Sequence, residues 1–184
     1  MRLRALAGAL LLAASLSACA GAFLPRREPI DLGPDRTRRV SISVEGPEDM
    51  PEWGELLWSE LVQTLSASSA IEVVEPAPGV WLVKATVDTW DYAERMEPLT
   101  PSRFATDTRR AGPDYYRQCT AVMGVTIEVR DPEAAEAAAE RKYLGVEHGT
   151  QDQPQDRFRA PQTFIRRAAG KVAAQFADDL EAGK

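Results

Sequence analysis

Scarcity narrows the chemistry first. One histidine, His148, and two cysteines, Cys19 and Cys119, are spread over 184 residues. A zinc site of ordinary composition needs several His or Cys ligands at set spacing, and neither a His-Glu-x-x-His segment nor a Cys-x-x-Cys pair occurs. No Gly-x-Ser-x-Gly elbow holds up a nucleophilic serine, and no glycine-rich turn sits between a strand and a helix to cradle phosphate. Beyond residue 18 no stretch approaches the ~20 apolar residues that span a bilayer. The arginines are scattered, and the formal charge is −6, which gives a nucleic-acid backbone no basic track to follow. The expectation is a protein without enzymatic activity, cofactor, metal or nucleic-acid partner.

What is present begins at the N-terminus. Arg2 and Arg4 precede an apolar stretch from Leu6 to Leu16, too short for a spanning helix, and Leu16-Ser17-Ala18-Cys19 closes it. A positive start, an apolar middle and small residues before a cut make a bacterial secretion signal. The closing four residues resemble the lipobox of bacterial lipoproteins. That resemblance implies diacylglyceryl attachment to the Cys19 thiol, cleavage before it, and acylation of the new amine by chains of the palmitate class.

On this reading residues 1–18 are the signal peptide and Cys19 carries the membrane anchor. The alternative is ordinary cleavage within Ser17-Ala18-Cys19-Ala20, which frees a periplasmic protein. Ala20 stands where an aspartate would mark inner-membrane retention in enterobacteria, which favours the outer membrane and its periplasmic face. Loss of the signal removes two arginines and no acids, so the charge moves to −8. Several acyl chains anchor strongly, because each buried methylene contributes ~0.8 kcal/mol. With Cys19 acylated, Cys119 has no intramolecular cysteine partner, and stability must come from a core.

Residues 19–38 hold three prolines, two glycines and no apolar periodicity, and are expected to be a flexible tether for a single domain over 39–184. Val40-Ser-Ile-Ser-Val44 alternates as a half-buried strand, which Gly46-Pro47 ends. Asp49 with Glu52 three residues on suggests a helix start, and Trp53, Leu57, Leu61 and Leu65 form one apolar stripe. Ile71–Val74 reads as a short extended piece. Val80–Tyr92 is the second main strand, with Trp81, Val83, Ala85 and Val87 on one face. Residues 93–114 read as a polar loop bearing Arg95, Arg103, Arg109 and Arg110. Alternation returns from Tyr115 to Arg130, with Cys119, Ala121, Met123, Val125, Ile127 and Val129 inward. The Ala- and Glu-rich piece to Ala139 suits a helical turn or a connection, and Arg141–Glu147 makes a fourth strand. A second polar loop, Gly149–Pro161, leads to a helix over Thr163–Leu180.

The fold class is α+β: a four-stranded mixed sheet in the order β-α-β-β-β-α with two helices packed on it. A strand-helix-strand unit is normally parallel, so the Pro47 turn and both polar loops should gather at one end and the tether enter at the other.

Trp90, Tyr92, Arg95, Arg103, Arg109 and Arg110 are the candidate partner-binding residues, since arginine and aromatics dominate interface hot spots. Two other readings compete. One is a periplasmic ligand- or glycan-binding module beside Trp90, with Glu94 and Glu97 near; the other is a hydrolase using His148 as base.

The element order, with Val129-Arg-Asp-Pro132 ending a strand and the closing run Ile165-Arg-Arg-Ala-Ala-Gly-Lys-Val-Ala-Ala-Gln-Phe176, is similar to the small outer-membrane lipoproteins that assist envelope machines. These include the lipopolysaccharide-transport lipoprotein LptE, activators of penicillin-binding proteins and the related domain of the curli-secretion lipoprotein. The resemblance implies a non-catalytic accessory factor that binds a larger cell-envelope protein. The chain departs from the lipopolysaccharide-transport pattern in having no basic cluster for lipid A phosphates.

Overall fold

A computed structural model describes residues 28–32, 38–98, 115–134, 137–151 and 160–181. Its elements are β1 (Arg38–Glu45), α1 (Pro51–Ser66), β2 (Ile71–Val73), β3 (Trp81–Pro98), β4 (Tyr115–Arg130), β5 (Ala137–Gln151) and α2 (Ala160–Glu181). The strands form one sheet in the order β2-β1-β3-β4-β5. β1 is parallel to both β2 and β3, while β3-β4 and β4-β5 are antiparallel hairpins.

Both helices lie on one face of this sheet. Trp53, Leu57, Leu61 and Leu65 of α1 meet Phe164, Ile165, Ala168, Val172, Phe176 and Leu180 of α2 and the inward strand residues in a single core. Each large apolar side chain buried there contributes roughly 1.5–3 kcal/mol. The opposite face of the sheet is polar, with Lys84, Thr86, Thr120, Thr126 and Glu128 on it, which accounts for the strict alternation along β4.

The sheet has five strands rather than four. The fifth is β2, three residues long and paired only with Arg38–Val40, too brief to leave a periodic signature. Residues 93–98 belong to β3 rather than to a loop. Glu94, Arg95 and Glu97 are charged, yet a hairpin half open to water accommodates charges when they pair, as Arg117 Nη1 does with Glu94 Oε2 at 2.8 Å. Ala137–Glu140 is the start of β5 rather than a helical turn, because pairing with Glu128–Arg130 overrides the helix preference of alanine and glutamate. Gly149–Gln151 likewise extends β5, and α2 begins at Ala160. Helix α1 starts from Met50 without a side-chain cap and with Pro51 in its first turn, so Asp49 does not cap it.

Residues 28–32, read from sequence as part of the tether, pack against the domain. Ile30 and Leu32 are buried, and the Ile30 N–H donates to the Asp179 carbonyl at 3.0 Å. A small polar hub holds that corner. Tyr143 donates its hydroxyl proton to Asp179 Oδ2 at 2.8 Å, and Arg141 Nη1 lies 3.0 Å from the same oxygen. The second approach is an ion pair without hydrogen-bond alignment, since among the described residues Nη1 has no hydrogen-bond partner. Arg141 also donates through Nη2 to the Glu28 carbonyl.

Helix α2 runs antiparallel to β5 and sits directly on it. At Gly145 an added Cβ would collide with the Ala168 carbonyl, and at Gly149 with the ring of Phe164. Side chains of α2 also satisfy the outer edge of β5. Gln175 Nε2 donates to the Leu144 carbonyl at 3.0 Å and Lys171 Nζ to the Val146 carbonyl at 2.5 Å. An edge with occupied carbonyls offers a poor template to a foreign strand.

Candidate partner-binding arm

The last residue of β1 paired with β3 is Glu45, opposite Thr86. Twelve further residues carry β3 to Pro98, and at about 3.3 Å each they form an arm roughly 40 Å long with β4 and the end of β5. The arm starts at a β-bulge. Between Val87 and Thr89 the register shifts, and Asp88 is the extra residue. Bulges reverse the phase of the side chains that follow and increase twist. Simple alternation would put Trp90 and Tyr92 with Lys84 and Thr86 on the polar face. Instead Trp90 pairs with Met123 and Tyr92 with Ala121, on the helix-bearing face.

The β4 half of that face is core, with Cys119, Ala121 and Met123 fully buried, and its β3 half is less covered. Trp90 is 36% exposed and Met96 59%. Between them Tyr92 donates its hydroxyl to Glu94 Oε1 at 2.8 Å, and Glu94 is held in turn by Arg117. Burial, then hydrogen bonding with Cys119 and Glu94, pushes the Tyr92 hydroxyl well above the usual phenol range, so it stays a neutral donor. Arg95 points to the other face and pairs with Glu97 Oε1 at 2.8 Å. The structure therefore brings Trp90 and Tyr92 together and separates Arg95 from them. Arg103, Arg109 and Arg110 lie outside the described residues, as does Cys19.

His148 lies on the polar face with its Nδ1 3.0 Å from Thr120 Oγ1. Cys119 is fully buried beneath the helices. Among the described residues no group of three or more His, Cys, Asp or Glu is placed to hold a metal ion.

Two concavities had no signature in the sequence. A cleft of about 680 Å³ opens between the β1–α1 turn and α1, lined by Val44, Gly46, Pro47, Glu48, Pro51, Gly54, Glu55, Trp58 and Ser59. A groove of about 620 Å³ runs between the helices and β5, and is charged. There Glu147 meets Lys171 at 2.8 Å and Arg167 at 3.4 Å, while Glu60 meets Arg166 at 3.6 Å. Hydrogen bonding from Lys171 is the main cause that holds the Glu147 carboxyl below its ordinary value; burial opposes it and Arg167 adds to it.

No family model matches the chain, and no curated protein does. Solved structures match the fold. A protein from Xanthomonas campestris superposes with a TM-score of 0.52 over 86% of this chain and 92% of its own, at 11% identity. A minor lipoprotein from Acinetobacter baumannii gives 0.47 over 79% and 93%, at 14% identity. PelC from Paraburkholderia phytofirmans, crystallised as a dodecamer, gives 0.48 over 86% and 96%, at 16% identity. The first of these establishes a shared fold.

Proposed function

We propose that this protein is a non-catalytic lipoprotein, hung from the outer membrane by acylated Cys19, that docks a larger cell-envelope protein through the arm of β3 and β4. The observation that carries the reading is the placement of residues 28–32. They are fastened beside Asp179 and Arg141, at the C-terminal end of α2 and the start of β5, which is the pole opposite the arm. Eight residues lie between Cys19 and Glu28, and fully extended the segment reaches about 30 Å. A lipid at Cys19 would then hold the clamped pole near the membrane and direct the arm away from it. Trp90 and Met96 offer exposed apolar surface on that arm, and a hydrogen-bonded Tyr92 between them supplies a rigid aromatic anchor.

Site-specific photocrosslinking in intact cells tests this. A photoreactive residue replacing Met96 is expected to capture one discrete envelope protein, and the same residue replacing Glu72, on β2 at the clamped pole, is not. Capture from Glu72 alone, or none from Met96, would contradict the proposal.

A further inference from the structure

The two edges of the sheet are treated differently. The outer carbonyls of Leu144 and Val146 on β5 are occupied by side chains of α2. On the other side, β2 shields β1 only as far as Val40. Arg38 donates its N–H to the Ala70 carbonyl, and Val40 accepts from the Val74 N–H at 2.9 Å. The even-numbered residues of β1 therefore aim their backbone groups toward β2, and the odd ones toward β3. Continued alternation aims the groups of Ile42 and Val44 the same way, past the point where β2 has ended. Among the described residues no strand pairs with them on that side.

This open stretch of edge adjoins the apolar cleft. Val44 lines it, Trp58 stands over it 49% exposed, and Pro47 and Pro51 stiffen the chain on either side of the turn. Its floor is bare backbone. Gly46 and Gly54 touch so closely that an added Cβ on either would come within 2.9–3.0 Å of the other's Cα. The site is thus formed before any ligand arrives, which lowers the ordering cost of binding.

Its charge is of one sign. From Val40 to Val83 there is no lysine or arginine, while eight acids occur, including Glu48 and Glu55 in the cleft wall and Asp49 and Glu52 beside it. Neither Glu48 nor Glu55 is in an ion pair among the described residues.

We infer that the Ile42–Val44 edge and the Trp58 cleft form a strand-addition site for an extended segment of a partner protein that alternates apolar residues with lysine or arginine. Backbone hydrogen bonds to Ile42 and Val44 would extend the line of β2, apolar side chains of the segment would enter the cleft against Trp58, and its cations would meet Glu48 and Glu55. This surface is separate from the arm, and its use does not depend on acylation of Cys19.

The test uses the full chain in mild detergent and, as probe, a blocked heptapeptide alternating valine with lysine, beside the same peptide with glutamate for lysine. The lysine peptide is expected to bind, perturb the Trp58 indole resonance, and slow hydrogen exchange at the Ile42 and Val44 amides about tenfold or more. The glutamate peptide should do neither. Val44→Pro removes an edge donor without taking a bond from the β3 ladder and should abolish the protection. Trp58→Ala, and Glu48→Gln with Glu55→Gln, alter exposed side chains and should each weaken binding about tenfold, which keeps the test sound if the proline variant fails to fold. No binding at millimolar peptide, equal binding of both peptides, or an indole shift without protection of Ile42 and Val44 would overturn the inference.

Discussion

Close approach at single residues sets the tightest limits on this fold. Gly145 lets the α2 backbone rest on β5, and the atom blocking a new Cβ is a carbonyl of the helix itself, which cannot rotate away. Gly145→Ala should therefore cost more than about 3 kcal/mol in urea unfolding, at or beyond the usual range for overpacking. Gly149→Ala should cost less, because the obstacle is the edge of the Phe164 ring, at 2.8 Å, and a ring can turn. Glu147 supplies a pH signature. Its folded-state pKa is depressed, so its contribution is fully present above the ordinary carboxylate value of 4.5 and is lost as pH falls through the lower folded value. Thermal melts of wild type and Glu147→Gln should differ at neutral pH, wild type being the more stable, and converge in acid. Tyr92 runs the other way. Its raised pKa means the unfolded chain ionises first, so stability should decline as pH climbs above 10, and Tyr92→Phe should flatten that decline.

At the level of elements, the clamped segment is the part with the plainest consequence. Ile30 and Leu32 are buried as deeply as core strand residues, so Leu32→Ala should cost about 2–5 kcal/mol if the segment belongs to the cooperative unit. Proteolysis of this variant between residues 28 and 38 with the rest of the domain intact and its global stability unchanged would show instead that the segment opens on its own. Neither residue was legible in the sequence, because a docking of five residues among prolines leaves no period, and only tertiary contact reveals it. β4 was legible end to end, since Cys119 to Val129 alternates against one buried and one wet face. β3 was legible as a strand to Tyr92, and in its facing only up to the bulge. From residue 93 its charged residues resembled a loop, and the phase reversed at Asp88 hid the fact that Trp90 and Tyr92 lie on the helix-bearing face while Arg95 does not. The cleft was hidden for a different reason: it depends on two glycines, eight residues apart, meeting across a turn.

For the molecule as a whole, polarity is the organising property. One pole receives the chain from the N-terminal direction and fastens it through Asp179, Arg141 and Tyr143, and the other extends an arm with Trp90 and Met96 exposed. An acyl anchor ahead of the clamp would convert that internal axis into an orientation relative to a membrane. Without an anchor the same axis would point nowhere in particular. Mass spectrometry of the intact protein isolated from its native host tests this most directly. The expected chain begins at Cys19, bears a diacylglyceryl thioether and is acylated on its amine; a free thiol at Cys19, or a chain that begins elsewhere, would contradict a membrane-set orientation.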